Sequence, residues 1–142
     1  MSGISNGQDI LTSTFLISDA SIAAYRLVTG DATDTTNTLA VAKAAGADTE
    51  LCLGITQALT ASADQPCPVR VAGISLLYVD GNAGAIDINT KIVAAANGVG
   101  VAATAADAAA QEVVGIALAP STAVGDIIPV LISRMTLVKG TA

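Results

Sequence analysis

The sequence of 142 residues is hydrophobic at 52% of its positions, is charged at only 13%, and contains no histidine. Without histidine the chain cannot form the Ser-His or Cys-His pairs of common nucleophilic enzymes, so we expect no enzyme and no catalytic residues. The formal net charge is −6 and the six cations are scattered singly, so we expect no nucleic-acid partner. The length suits one domain with a core of its own.

Small side chains such as Ala and Val dominate the apolar residues, and only Phe15, Tyr25 and Tyr78 are aromatic. At roughly 25 cal/mol per Å² of buried apolar surface, such residues gain little against an ordering cost of about 1 to 2 kcal/mol each. The few charges also leave much of a monomer's surface apolar. We therefore expect the chain to associate with copies of itself.

The chain start and its hydropathy bear on localisation. No stretch approaches the roughly 20 uninterrupted apolar residues of a membrane-spanning helix, so no membrane partner is expected. Residues 1–8 are polar and lack the basic and apolar segments of a secretory signal, which predicts folding in a cytoplasm. We interpret residues 1–8 as a flexible N-terminal arm and residues 9–142 as a single β domain.

In chain order, the first predicted strand covers residues 9–17 and the second covers residues 23–28. A loop rich in Gly, Asp, Thr and Asn follows at 29–38. From residue 39 the sequence repeats itself. Sliding the chain by 61 positions superposes Gly54-Ile55 on Gly115-Ile116, and no gap is needed from about 38 to 77.

An earlier pair of segments, 25–28 and 90–93, fits at an offset of 65. Two copies are too few for a stable solenoid, so we interpret them as two similar halves of one domain, about 19–80 and 85–138. Each copy has the order short strand, turn, short strand, turn, long strand. These predicted strands cover 39–42, 51–56 and 69–79 in the first copy, and 99–103, 113–118 and 127–138 in the second.

The predicted fold class is all-β, a small barrel or sandwich of eight or so strands. Apolar and polar residues alternate at the start of strand 69–79, but this alternation slips at Gly73, which predicts a bulge or bend there. The Ala-rich segment 102–112 favours helix by propensity. Its counterpart 42–50 contains Gly46, so we expect at most short helical turns in either copy.

The two cysteines, Cys52 and Cys67, are the first candidates for site chemistry. In the second copy their places are taken by Val113 and Ile128. This correspondence favours two buried hydrophobic residues over a disulfide or a ligand pair. Two thiols without histidine do not complete a zinc site, so no metal or cofactor is predicted.

Acidic residues in loops are the other candidates. Asp31 and Asp34 are spaced closely enough to suggest a catalytic carboxylate pair, but their Thr-rich loop favours turn formation instead. Asp64 and Asp126 precede the long strands and lack the further oxygen ligands that Ca²⁺ needs. The sequence therefore predicts no catalytic, cofactor-binding or metal-binding residue.

Both copies resemble a known pattern. Gly54-Ile55, a turn of small residues and the segment Val69-Arg70-Val71-Ala72-Gly73-Ile74 are similar to the capsid cement, or head decoration, proteins of tailed bacteriophages. The second copy repeats the pattern, and 23–28 resembles the family's entry strand. The sequence departs from the family at Arg134, where a glycine is expected, and in its long loop 29–38.

The resemblance implies a small β-barrel protein that forms a homotrimer on the outer capsid surface and binds the major capsid protein. It implies a structural role in the virion, stabilising contacts between capsomers, for a protein made in the bacterial host cytoplasm. The alternative is an adhesive or carbohydrate-binding β module of a surface or tail-fibre protein. The shortage of aromatic rings argues against this alternative, because sugar sites stack on such rings.

Overall fold

The computed structural model describes residues 11–34, 40–46, 50–104 and 110–137. Nine strands account for most of this part of the chain, joined by short turns. The strands are β1 (Leu11–Ile17), β2 (Leu27–Gly30), β3 (Ala40–Lys43), β4 (Gly54–Thr56), β5 (Gln65–Asp80), β6 (Lys91–Ala95), β7 (Val99–Ala102), β8 (Gln111–Ala117) and β9 (Val124–Leu137). One 3-10 turn, Ala96–Gly98, is the helical element of the described residues, and no helix there is long and apolar enough to span a membrane.

The strands close into two five-stranded rings that share β5. In the first ring β1 pairs with β3, β3 with β2, β2 with β4, β4 with β5, and β5 returns to β1. The second ring runs in the same way through β5, β7, β6, β8 and β9. Each ring has one parallel contact, β1–β3 or β5–β7, in the same place. The predicted all-β barrel with two similar halves is confirmed.

The long strand β5 changes partners at Gly73, where the sequence predicts a bend. Its residues up to Ala72 pair with β1, and those from Gly73 onward pair with β9. Gly73 has a φ of 92°, a conformation that costs glycine little and other residues much. The register also shifts between Leu11 and Thr12, opposite this point. The bend lets one strand serve two barrels.

The hydrogen-bond register refines the predicted repeat. The offset of 61 holds for β4 against β8 and for the first part of β5 against β9. Val28 faces Gly54 and Ile92 faces Gly115, so β2 corresponds to β6 at an offset of 64, not 65. The expected gap-free match from 38 is wrong for β3, which corresponds to β7 at an offset of 59. The second half has two more residues between these strands, in its Ala-rich connection.

Some predicted boundaries are also wrong. The second strand starts at Leu27 instead of residue 23, because Tyr25 takes a φ of 63° in a turn. The strand β6 was not among the predicted strands. The predicted arm 1–8 and the interior of the Ala-rich segment, 105–109, lie outside the described residues, and the bounds of the single domain and its halves stay a prediction.

Two clusters of buried side chains form the core. The first fills the first barrel and contains Ile17, Ile22, Val28, Val41, Cys67 and Val69. The second fills the second barrel and also includes Leu27 and Ile55 from the first half. Because neighbouring strand residues point to opposite faces, Val28 lies inside the first barrel while Leu27 packs outward against the second half. Both halves therefore belong to one packed structure.

The Gly-Ile pair of each copy has a direct structural reason. Gly54 on β4 and Gly115 on β8 lie against the backbone of the neighbouring long strand. A Cβ on Gly115 would come within 2.5 Å of the Leu131 carbonyl oxygen, and a Cβ on Gly54 would meet the Arg70 carbonyl in the same way. Only glycine permits this close approach of two strands.

Arg134 stands where the resemblance leads one to expect glycine, and it joins the halves. Its guanidinium donates hydrogen bonds to the carbonyl oxygens of Leu53 and Val71, both in the first half. The amide of Gly98 adds a second link by donating to the Ala44 carbonyl at 3.1 Å. Arg134 therefore helps to hold β9 against the first barrel, at the position where the sequence departs from the family pattern.

Candidate interaction surface

The second barrel carries an exposed apolar surface where β5 pairs with β9. Along β5 the side chains alternate, so Ser75, Leu77 and Val79 are buried at 0 to 1% exposure. The residues between them, Ile74, Leu76 and Tyr78, point outward. Ile74 remains 46% exposed and Leu76 41% exposed, and Tyr78 is partly covered.

The facing strand continues the same surface. Ile74 lies opposite Leu131, Leu76 opposite Pro129, and Tyr78 opposite Ile127. Cross-strand partners have side chains in contact range, so these residues form one continuous patch. Ile127 and Leu131 are 48% and 39% exposed. We call this patch the apolar β5–β9 face; it consists of Ile74, Leu76, Tyr78, Ile127, Pro129 and Leu131.

The first barrel provides an internal comparison, because its β1–β5 pairing occupies the equivalent place. There Thr12 lies opposite Arg70 and Thr14 opposite Pro68. The threonines occupy the places of Ile74 and Leu76 in the second barrel, and both are exposed. The remaining equivalent pair is Leu16 opposite Pro66, so this face is mixed in the first barrel and apolar in the second. Threonine is therefore compatible with the fold at these two places.

This face contains no charged residue, so covering it would bury apolar surface without desolvating a charge. A continuous exposed apolar patch of this kind is a candidate surface for protein contact. The sequence pattern did not reveal the apolar β5–β9 face, for a physical reason. Leu76-Leu77-Tyr78-Val79 runs on without a polar residue, which is typical of a strand buried on both sides, whereas one side here is open.

The two cysteines lie apart, in different core clusters, and both are free. Burial raises the pKa of Cys52 to about 12, with a further contribution from Glu50 that Arg134 opposes. Burial also raises the pKa of the Cys67 thiol. Both thiols are therefore held in the protonated form, which is a poor nucleophile and a poor metal ligand. This agrees with their interpretation as small hydrophobic core residues.

Two of the candidate carboxylates, Asp31 and Asp126, accept hydrogen bonds within local turns. Oδ1 of Asp31 accepts hydrogen bonds from the Thr33 amide at 2.8 Å and from its hydroxyl at 2.6 Å. Hydrogen bonds from Ser18 and then from Thr33 lower the pKa of Asp31 to about 2. Oδ2 of Asp126 accepts a hydrogen bond from the Ser121 hydroxyl at 2.7 Å. The described part of the chain brings no three His, Cys, Asp or Glu residues together in a way that would hold a metal ion.

Comparison with known proteins adds a likeness of fold. No protein-family model matches the chain, and no curated protein matches it. Among solved structures, the chain is similar to the head fibre gp8.5 N base of bacteriophage phi29, with a TM-score of 0.63. The likeness covers 90% of this chain and 98% of that one, at 17% sequence identity. It is a likeness of fold. It extends through both barrels.

Proposed function

We propose that this protein is a structural component of a bacteriophage virion. In this proposal it binds the outer surface of the capsid as a trimer and stabilises contacts between capsomers. The observation that carries the proposal is the match of the double barrel to a phage head-fibre base over nearly all of that chain. The resemblance of both sequence copies to capsid cement proteins supports it independently.

The apolar β5–β9 face supports the oligomeric part of the proposal. A chain with few charges and small apolar residues has reason to bury surface in contacts between copies, and this face gives the contact a location. The counterpart on the first barrel carries Thr12, Thr14 and Arg70 and is therefore better suited to remain in water. The trimer would then present several equivalent surfaces to the capsid, so weak individual contacts combine into a durable attachment.

Binding to capsids of the phage that encodes the chain tests the proposal. Purified protein mixed with capsids that lack it should sediment with them, and the decorated capsids should resist heat better than undecorated ones. Light scattering on the free protein should give about three times the chain mass of 13.9 kDa. A protein that stays monomeric at high micromolar concentration and does not sediment with the capsids would refute the proposal.

The N-terminal residues are part of the same proposal. Residues 1–8 are polar and too poor in apolar side chains to build a core of their own. We propose that they reach the capsid surface and become ordered there. Deleting them should leave the trimer intact and weaken its binding to capsids; unchanged capsid affinity would show that they do not contribute.

An adhesive or carbohydrate-binding module is the second candidate, because the similar structure is the base of a head fibre. Such a site needs an accessible aromatic ring for sugar stacking. The guanidinium of Arg26 lies 3.7 Å from the centroid of the Tyr78 ring and covers one of its faces. A glycan array that gave selective binding would favour this candidate over the virion role.

A further inference from the structure

A cleft of about 560 Å³ opens between the two halves of the protein, at the end of the apolar β5–β9 face. The first half contributes Arg26 and Lys43, and the second contributes the aliphatic residues Val99 and Val101. Tyr78 belongs both to the cleft and to the face, so the two surfaces are continuous. The volume lies in the usual range for binding pockets, about 300 to 1,000 Å³.

The cleft has a local charge opposite to that of the protein. Two of the six cations, Arg26 and Lys43, line it in a chain whose net charge is −6. Neither cation has a carboxylate partner among the residues that the structure describes. Stacking on the Tyr78 ring fixes the guanidinium of Arg26 in one orientation, which lowers the entropy lost when it binds an anion.

One carboxylate, Asp80, also lines the cleft, but it is engaged in its own turn. Its Oδ1 accepts hydrogen bonds from the amides of Asn82 at 2.9 Å and Ala83 at 3.1 Å. Asp19 lies nearby, and its Oδ2 accepts a hydrogen bond from the backbone amide of Lys43. Both carboxylates thus accept from backbone amides, and a carboxylate ligand can pair with the guanidinium and ammonium groups of the cleft. Arginine binds carboxylates through two parallel hydrogen bonds, which favours such a ligand over a neutral one.

The remaining walls indicate what carries the carboxylate. Besides Tyr78, Asn97 and the charged residues, the cleft is lined by small or aliphatic side chains such as Ala95, Ala96 and Val124. The Tyr78 ring has Arg26 over one face, and a Cβ on Gly125 would lie 3.2 Å from its hydroxyl oxygen. These walls offer little aromatic surface on which a sugar ring can stack, whereas an extended peptide with small side chains fits them.

We infer that this cleft binds an acidic, extended peptide segment of a partner protein. The inference deepens the proposed function and rests on it for the partner, which would be a capsid subunit. The peptide chemistry itself can be tested without capsids. The two proposals can therefore fail separately.

The test uses the full chain and a fluorescein-labelled peptide of alternating alanine and aspartate. A second labelled peptide has asparagine in place of every aspartate. Fluorescence polarisation at low salt should show binding of the aspartate peptide and at least about tenfold weaker binding of the asparagine peptide, since charge-assisted hydrogen bonds are lost. Equal binding of the two peptides, or no binding of either at millimolar concentration, would overturn the inference.

Variants then locate the site. Arg26→Gln and Lys43→Gln should each weaken binding of the aspartate peptide by about tenfold. Lys91→Gln is the matched control, because Lys91 is exposed at the start of β6, lies outside the cleft, and its loss changes the net charge equally. If Lys91→Gln weakens binding as much as the cleft variants, the attraction is non-specific and the inference is wrong.

Circular dichroism checks the fold of each variant, and Lys43→Gln decides the question if Arg26→Gln does not fold. Capsid sedimentation separates the two proposals. If the wild-type protein binds capsids but not the aspartate peptide, the cleft inference fails while the virion role stands. If an acidic oligosaccharide binds in the cleft and the aspartate peptide does not, the inference is likewise overturned.

Discussion

Replacing Ile74 and Leu76 together by threonine should break self-association while leaving the fold intact. These are the residues that the first barrel carries as Thr12 and Thr14 at the equivalent places, so the barrel is known to accept threonine there. Threonine also has a high preference for strands. The double variant therefore gives the second barrel the two threonines that the first already has.

The size of the effect follows from the exposed fractions of the two side chains. Ile74 is 46% exposed and Leu76 is 41% exposed. Full burial of such a side chain contributes about 1.5 to 3 kcal/mol, so covering the exposed part of each contributes about 1 kcal/mol. Loss of both should weaken each contact between copies by about 2 kcal/mol, or roughly 30-fold in its dissociation constant.

Analytical ultracentrifugation over a concentration series measures this change directly. The wild-type protein should remain associated at concentrations where the double variant is monomeric. The control variant carries Thr12→Ala and Thr14→Ala on the equivalent face of the first barrel and should associate like the wild type. Equal dissociation constants for the wild type and the Ile74/Leu76 variant would show that copies do not meet through the apolar β5–β9 face.

Three further predictions concern the core and one turn. Gly115→Ala should lower the free energy of unfolding by about 2 to 3 kcal/mol in urea titrations, whereas Gly30→Ala, with its nearest neighbouring atom 3.7 Å away, should change it by less than about 0.5. Cys52→Val should cost less than about 1.5 kcal/mol, and native Cys52 should resist a thiol reagent at pH 8 until the protein unfolds. Because the folded-state pKa of Asp31 is lowered from 3.8 to about 2, its stabilising contribution is present above about pH 4 and is lost as the pH falls towards 2. Thermal unfolding of Asp31→Asn should therefore depend less on pH in that window; an unchanged profile would contradict the assignment.

Much of the fold was predictable from the sequence because its strands repeat in kind and spacing. The Gly-Ile pairs and the long strands recur at 61 positions, and the structure places them in equivalent pairings. The slip in alternation at Gly73 marked the bend correctly. These signals are local, since each arises from the contact of one residue with the strand beside it.

The closure of the two rings and the interaction surface could not be predicted from the sequence, because no local pattern contains the necessary information. Periodicity does not reveal that β5 closes two barrels, because partner choice depends on the bend and on all strands together. It also does not reveal which side of an apolar strand remains uncovered. For the run from Leu76 to Val79 the answer came only from the register with β9 and from the comparison with Thr12 and Thr14.

The shared strand has a consequence for how such a protein can be divided or extended. Each copy supplies four strands of its own, β2 to β5 or β6 to β9, and completes its ring with a strand that precedes it. For the second copy that strand is the end of β5; for the first it is β1, which precedes both copies. A cut between the copies would therefore leave the second ring open along two unpaired edges. By the same rule, adding another copy after the second would require four new strands and a longer β9.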